Sequence, residues 1–64
     1  MTIRTFQNQC TPGRRVLNRQ RNDEGTVIKI SRDRSRALVH YQDHSIEWNE
    51  YYLLDFPEPN TRQP

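Results

Sequence analysis

The chain has one cysteine, two glycines, one lysine and no long apolar run. Cys10 has no second cysteine to join, so a disulfide within a monomer is excluded, and a lone thiol fits a reducing compartment. His40 and His44 are the only histidines. With no cysteine pair beside them and no third ligand in view, they do not make up a metal site, and no cofactor is expected. No stretch approaches the ~18 apolar residues of a membrane span. The start, Met1-Thr2-Ile3-Arg4-Thr5-Phe6, has no apolar segment of signal-peptide length. A cytoplasmic or organelle-interior address is therefore expected, and a beginning at Met1 is expected of a complete small protein. The apolar fraction is 31%, against ~45–50% in ordinary globular chains, a figure that also counts glycine. A chain of 64 residues has room for one domain and buries only ~60% of its unfolded surface. With disulfides and metal set aside, stability has to come from an economical core or from oligomerisation.

Charge is present in quantity and unevenly distributed. Residues 1–36 carry nine basic groups against three acidic ones, a net of +6, whereas 37–64 carry one basic group against five acids, a net of −4. Nine of the ten cations are arginine. Arginine offers a planar fork matched to phosphate and carboxylate, whereas lysine is a hydrated point charge. The skew favours recognition over simple solubility.

Along the chain, 1–12 is polar with isolated Ile3 and Phe6 and ends at the turn signal Thr11-Pro12-Gly13. It reads as a flexible N-terminal tail, and Cys10 within it reads as an incidental surface thiol. Residues 57–64 carry three prolines and read as a disordered C-terminal tail. Between them, over 13–56, short apolar runs alternate with polar turns. Strands are predicted at Arg15–Asn18, Thr26–Ile30, Ala37–Tyr41, Ile46–Trp48 and Tyr52–Leu54, with a turn or single 3₁₀ turn at Asn49–Tyr51. Ala37, Val39 and Tyr41 share one face, His40 faces the other way, and Ile46-Glu47-Trp48 alternates as a half-buried strand. No helical periodicity runs through 13–48. Five short strands at this spacing predict an all-β fold, a small five-stranded barrel that closes on itself and leaves no edges.

Gly13-Arg14-Arg15-Val16, then Asp23-Glu24-Gly25-Thr26-Val27-Ile28-Lys29-Ile30, then Leu38-Val39-His40-Tyr41 resemble the SH3-like barrels of the Tudor and KOW type, over about residues 13–54. Tyr41-Gln42-Asp43-His44-Ser45-Ile46-Glu47-Trp48 is similar to the acidic turn and hydrophobic strand that follow in Tudor-like modules. His44 stands where those turns have glycine, which predicts a different turn geometry. The first loop, Asn18-Arg19-Gln20-Arg21-Asn22, has less glycine than KOW loops. The resemblance implies an SH3-like barrel, a fold that hosts many functions.

Two residue sets could carry function. Arg14, Arg15, Arg19 and Arg21 surround the first loop, and Arg32, Arg34 and Arg36 lie on the next hairpin. Together they suit phosphate tracking along RNA or DNA. They also read as a solvated surface balanced by Asp23, Glu24 and Asp33, and the two loops need not share an end. Tyr41, Trp48, Tyr51, Tyr52 and Phe56 form the aromatic set. These rings could stack on bases or serve as core, Trp48 and Tyr41 above all. By the Tudor resemblance, they could line a cage for a methylated side chain with Asp43 or Glu50 adding charge. A barrel this small has a filled interior, so catalysis is not expected of a monomer; an enzyme would need a site formed between copies. The leading expectation is a non-enzymatic module binding RNA or DNA. The rival is a protein-interaction module, either a Tudor-like peptide reader or a docking subunit.

Overall fold

A computed structural model describes residues 1–57. The rest of the predicted tail, 58–64, lies outside the described residues. The strands are β1 (Arg15–Asn18), β2 (Asp23–Ile30), β3 (Arg36–Tyr41), β4 (Ile46–Glu50) and β5 (Leu54–Asp55). They form one antiparallel sheet in the order β4-β3-β2-β1-β5. The sheet does not close: β4 and β5 are its edges and do not pair with each other. A single 3₁₀ turn, Tyr51–Leu53, separates β4 from β5. This turn takes up most of the strand expected at Tyr52–Leu54, leaving two residues of β5 on β1.

The inner face of the sheet carries Val16, Val27, Ala37, Val39, Tyr41 and Leu54, all buried. Alternation along β1 and β3 puts these residues on one side, as period-2 geometry requires. In β2 the register against β3 shifts between Val27 and Lys29. Ile28 is the extra residue of this bulge, and Ile30 thereby returns to the core beside Ala37. Gly25 lies opposite Tyr41. A Cβ there would stand 2.5 Å from Val39 and 2.8 Å from the His40 carbonyl oxygen, so the β2–β3 approach depends on a missing side chain.

The N-terminal segment is not a free tail over its whole length. Ile3–Gln9 forms an α-helix, α1, capped by Thr2, whose hydroxyl accepts from the Thr5 amide. Phe6 and Cys10, four residues apart and so on one helical face, are both buried in the core. The Phe6 ring meets Tyr51 at 6.1 Å between centroids. The Arg34 guanidinium donates to the Gln7 carbonyl at 2.7 Å, tying α1 to the β2–β3 hairpin. Cys10 is accordingly interior and not the surface thiol expected of a tail. Burial pushes its thiol up to about 11, against a smaller opposing pull from Arg14.

If α1 completes the core, Phe6→Ala lowers stability by about 3–5 kcal/mol in urea unfolding. It also exposes the Cys10 thiol to labelling under native conditions. Unchanged stability would show that the helix merely rests on the sheet.

Candidate functional site

β4 is turned inside out relative to its expected pattern. The apolar residues Ile46 and Trp48 face solvent, at 55% and 46% exposure. The polar residues Glu47 and Asn49 sit opposite Val39 and Ala37 of the inner face. Tyr41 and Arg21 explain the inversion. The Tyr41 phenol, 1% exposed, accepts a hydrogen bond from Asn18 at 2.9 Å and donates one to Asn49 at 2.5 Å. Glu47 accepts an ion pair from Arg21 at 3.0 Å. A one-residue slip of β4 would move Trp48 inward but would remove both polar partners.

The arginines divide by role. Arg21 lies 3.8 Å above the Tyr41 ring and pairs with Asp23, Asp43 and Glu47. Burial disfavours its charge, but the three carboxylates outweigh that and hold it more firmly protonated than usual. Arg21 is thus committed to the fold. Arg19 pairs with Asp55 at 3.3 Å and donates to the Tyr52 carbonyl. Arg15 pairs with Glu24 at 2.7 Å. Arg14 lies 4.0 Å over the Phe56 ring and donates to the Gln9 carbonyl. The two arginine loops lie at opposite ends of the sheet, so the seven arginines do not form one patch. The first loop meets the β3–β4 turn through Arg21 and Asp43, and the β2–β3 hairpin meets α1 through Arg34.

The aromatics divide as well. Tyr41 is core and unavailable for stacking. Tyr51 is half-buried against Phe6 and meets exposed Tyr52 edge-on at 5.4 Å. Tyr41 inside and Trp48 outside lie on opposite faces of the sheet, so the five rings do not converge on one cage.

What the structure brings together is a groove of about 530 Å³ lined by Lys29, Ile30, Ser31, Arg32, Arg36 and Trp48. Trp48 stands opposite Leu38 in the β3–β4 register, and Leu38 stands opposite Lys29 in the β2–β3 register. Of the three cations, Arg36 makes, among the described residues, only a long 3.9 Å pair with Glu50. Lys29 and Arg32 have no ion pair among the described residues. Lys29 was not among the residues expected to bind; the bulge at Ile28 turns it to this face, and a bulge leaves little mark in a sequence. Compared with known families, curated proteins and solved structures, the chain matches none.

At the β3–β4 turn, His44 adopts φ +74°, the left-handed conformation that glycine would supply. The turn expected to differ at this position therefore keeps a left-handed residue. Asp43 steadies it by accepting from the Ser45 hydroxyl and amide at 2.6 and 3.0 Å. These bonds, with Arg21, hold the Asp43 carboxyl below its usual range. No group of three or more potential metal ligands exists among the described residues, and no described helix is long and apolar enough to cross a membrane.

Tyr41→Phe leaves the Asn18 and Asn49 amides facing each other without the phenol and costs about 1–3 kcal/mol in chemical unfolding. A loss near zero would remove the proposed cause of the β4 inversion. The thiol gives a second expectation. Unfolded Cys10 loses its proton near 9.0, whereas the native thiol keeps it to about 11. Stability is therefore unaffected by this group below about pH 9 and falls as pH rises from there to about 11. Cys10→Ala lacks that loss, so the difference between the two pH–stability curves isolates it.

Proposed function

We propose that this protein is a non-enzymatic, SH3-like binding module that takes single-stranded RNA or DNA on the outer face of its sheet. The observation that carries the reading is the inverted β4. It exposes Trp48 beside Lys29, Arg32 and Arg36, although the inner face has few large apolar residues to fill it. An exposed indole rimmed by cations is the pairing that single strands require: a ring for an unpaired base and charge for the backbone. Duplex bases are already stacked and offer the indole no face. The remaining seats of the arginine set are less suited, because Arg15, Arg19 and Arg21 already hold carboxylates. The SH3-like part of the reading draws support from the return of β5 onto β1 and from the sheet wrapping one shared core.

Exposed Ile28 and Ile46, at 41% and 55%, favour a second reading in which the same face docks on a protein. Salt separates the two. Oligonucleotide binding weakens linearly in log–log form with added salt, whereas an apolar protein contact does not.

Titration of a single-stranded oligonucleotide of about eight residues is expected to quench Trp48, the one indole in the chain. Trp48→Ala costs about 1–3 kcal/mol of binding. Lys29→Gln and Arg32→Gln each lower the salt slope by about 0.7. No binding at about 50 mM salt, or binding without a salt slope, sinks the nucleic-acid reading.

A further inference from the structure

A second cavity opens on the same outer face, at the other end of β3. Its volume is about 450 Å³, and Arg15, Glu24, Thr26, His40, Gln42 and His44 contribute to its walls. The register places Arg15, Thr26, His40 and Ile46 in one row across β1, β2, β3 and β4. The His40 and His44 ring centroids lie 6.2 Å apart, with the ring planes tilted by 38°. With charge-assisted bonds of ~2.7–2.9 Å, both imidazoles can reach oxygens of one phosphate placed over that gap. Within the described residues neither histidine has an ion pair.

We propose that the Arg15–His40–His44 cavity is a phosphate subsite for the backbone of the strand whose base stacks on Trp48. This rests on the reading of the outer face as a nucleic-acid surface. Arg36 in the first groove and His40 in the second both face outward on β3, four residues apart, which is about 13 Å of strand. About four stacked nucleotides at a ~3.4 Å rise span that distance, so one short strand reaches both cavities.

The charge around the histidines makes the subsite conditional. From β1 comes Arg15, but its guanidinium holds Glu24 of β2 at 2.7 Å, and the two cancel. From the β3–β4 turn comes Asp43, which is engaged by Ser45 and Arg21. Thr26 of β2 and Ile46 of β4, beside His40, carry no charge. With neutral imidazoles the cavity has almost no net charge to offer an anion. Protonation of both adds two positive charges opposite the phosphate. Lowering the pH from about 8 to about 5.5 favours the protonated imidazoles, so the subsite fills as pH falls through that range.

The probe is an oligouridine of about eight residues, whose bases do not titrate in this range, followed at fixed salt by anisotropy and by Trp48 quenching. Wild-type affinity is expected to rise about three- to tenfold between about pH 8 and pH 5.5. In the double variant His40→Gln/His44→Asn the rise is lost, while Trp48 quenching persists. Asparagine tolerates the left-handed conformation at position 44, and thermal melting checks that the variant is folded. An identical pH profile in wild type and variant, with quenching intact, overturns the subsite but leaves the Trp48 groove standing. Absence of quenching and binding at every pH overturns the groove and the subsite together.

Discussion

One buried phenol sets the geometry of this protein. Tyr41 of β3 is hydrogen-bonded by Asn18 of β1 and Asn49 of β4, yet β1 and β4 are not neighbours in the sheet. For both amides to reach one oxygen, the sheet must curl across its inner face. A buried hydroxyl without partners costs about 1–3 kcal/mol, so the curl and the satisfaction of Tyr41 are one requirement. Burial raises the phenol above its usual range, with the Asn18 bond acting in the opposite sense. Over the ring, Arg21 adds a cation–π contact and gathers Asp23, Asp43 and Glu47 from two strands and a turn. Exposed ion pairs are individually weak. Here three converge on one half-buried guanidinium, and their role is to hold the two hairpin turns at the same end of the sheet.

That arrangement accounts for the surface. Once Glu47 and Asn49 serve Arg21 and Tyr41, strand alternation leaves Ile46 and Trp48 no place but the outside. The outward face then acquires a ring, two isoleucines and, through the bulge at Ile28, the Lys29 ammonium. The same network takes Arg21 out of any binding role. The surface available for a ligand is therefore a by-product of interior polar bonding, and the number of arginines says little about it.

Much of the strand layout was legible in the sequence. β-branched runs mark β2 and β3, and alternation correctly turns His40 away from Val39. The face of β4 was not legible, because alternation gives two faces and the choice between them lies with hydrogen bonds from Asn18 and Tyr41, distant in sequence. The helix α1 had a readable signal: Thr2 as a capping hydroxyl, and Phe6 and Cys10 four apart. It was hidden by polarity, since of the helix itself only Phe6 is fully buried, joined by the capping Cys10. Within the candidate site, Arg32, Arg36 and Trp48 belonged to the expected sets, but their meeting in one groove depends on the β2–β3 and β3–β4 registers. Lys29 depends on a bulge.

The economy of the core sharpens the argument about Trp48. Among the described residues, eight make up the buried apolar cluster, and three of them are valines and one alanine. In such a core the largest apolar side chain would give the greatest gain from burial, roughly 25 cal/mol per Å² of apolar area. The register that would bury it is opposed by the polar pair at positions 47 and 49, which bond Arg21 and Tyr41. Apolar residues at those two positions would let the inner face be filled without Tyr41 needing Asn49 at all. A sequence optimised for stability alone would take that route. Buried Asn49 on Tyr41 and half-exposed Glu47 on Arg21, with Ile46 and Trp48 outside, therefore give the protein an exposed ring at the expense of a larger core.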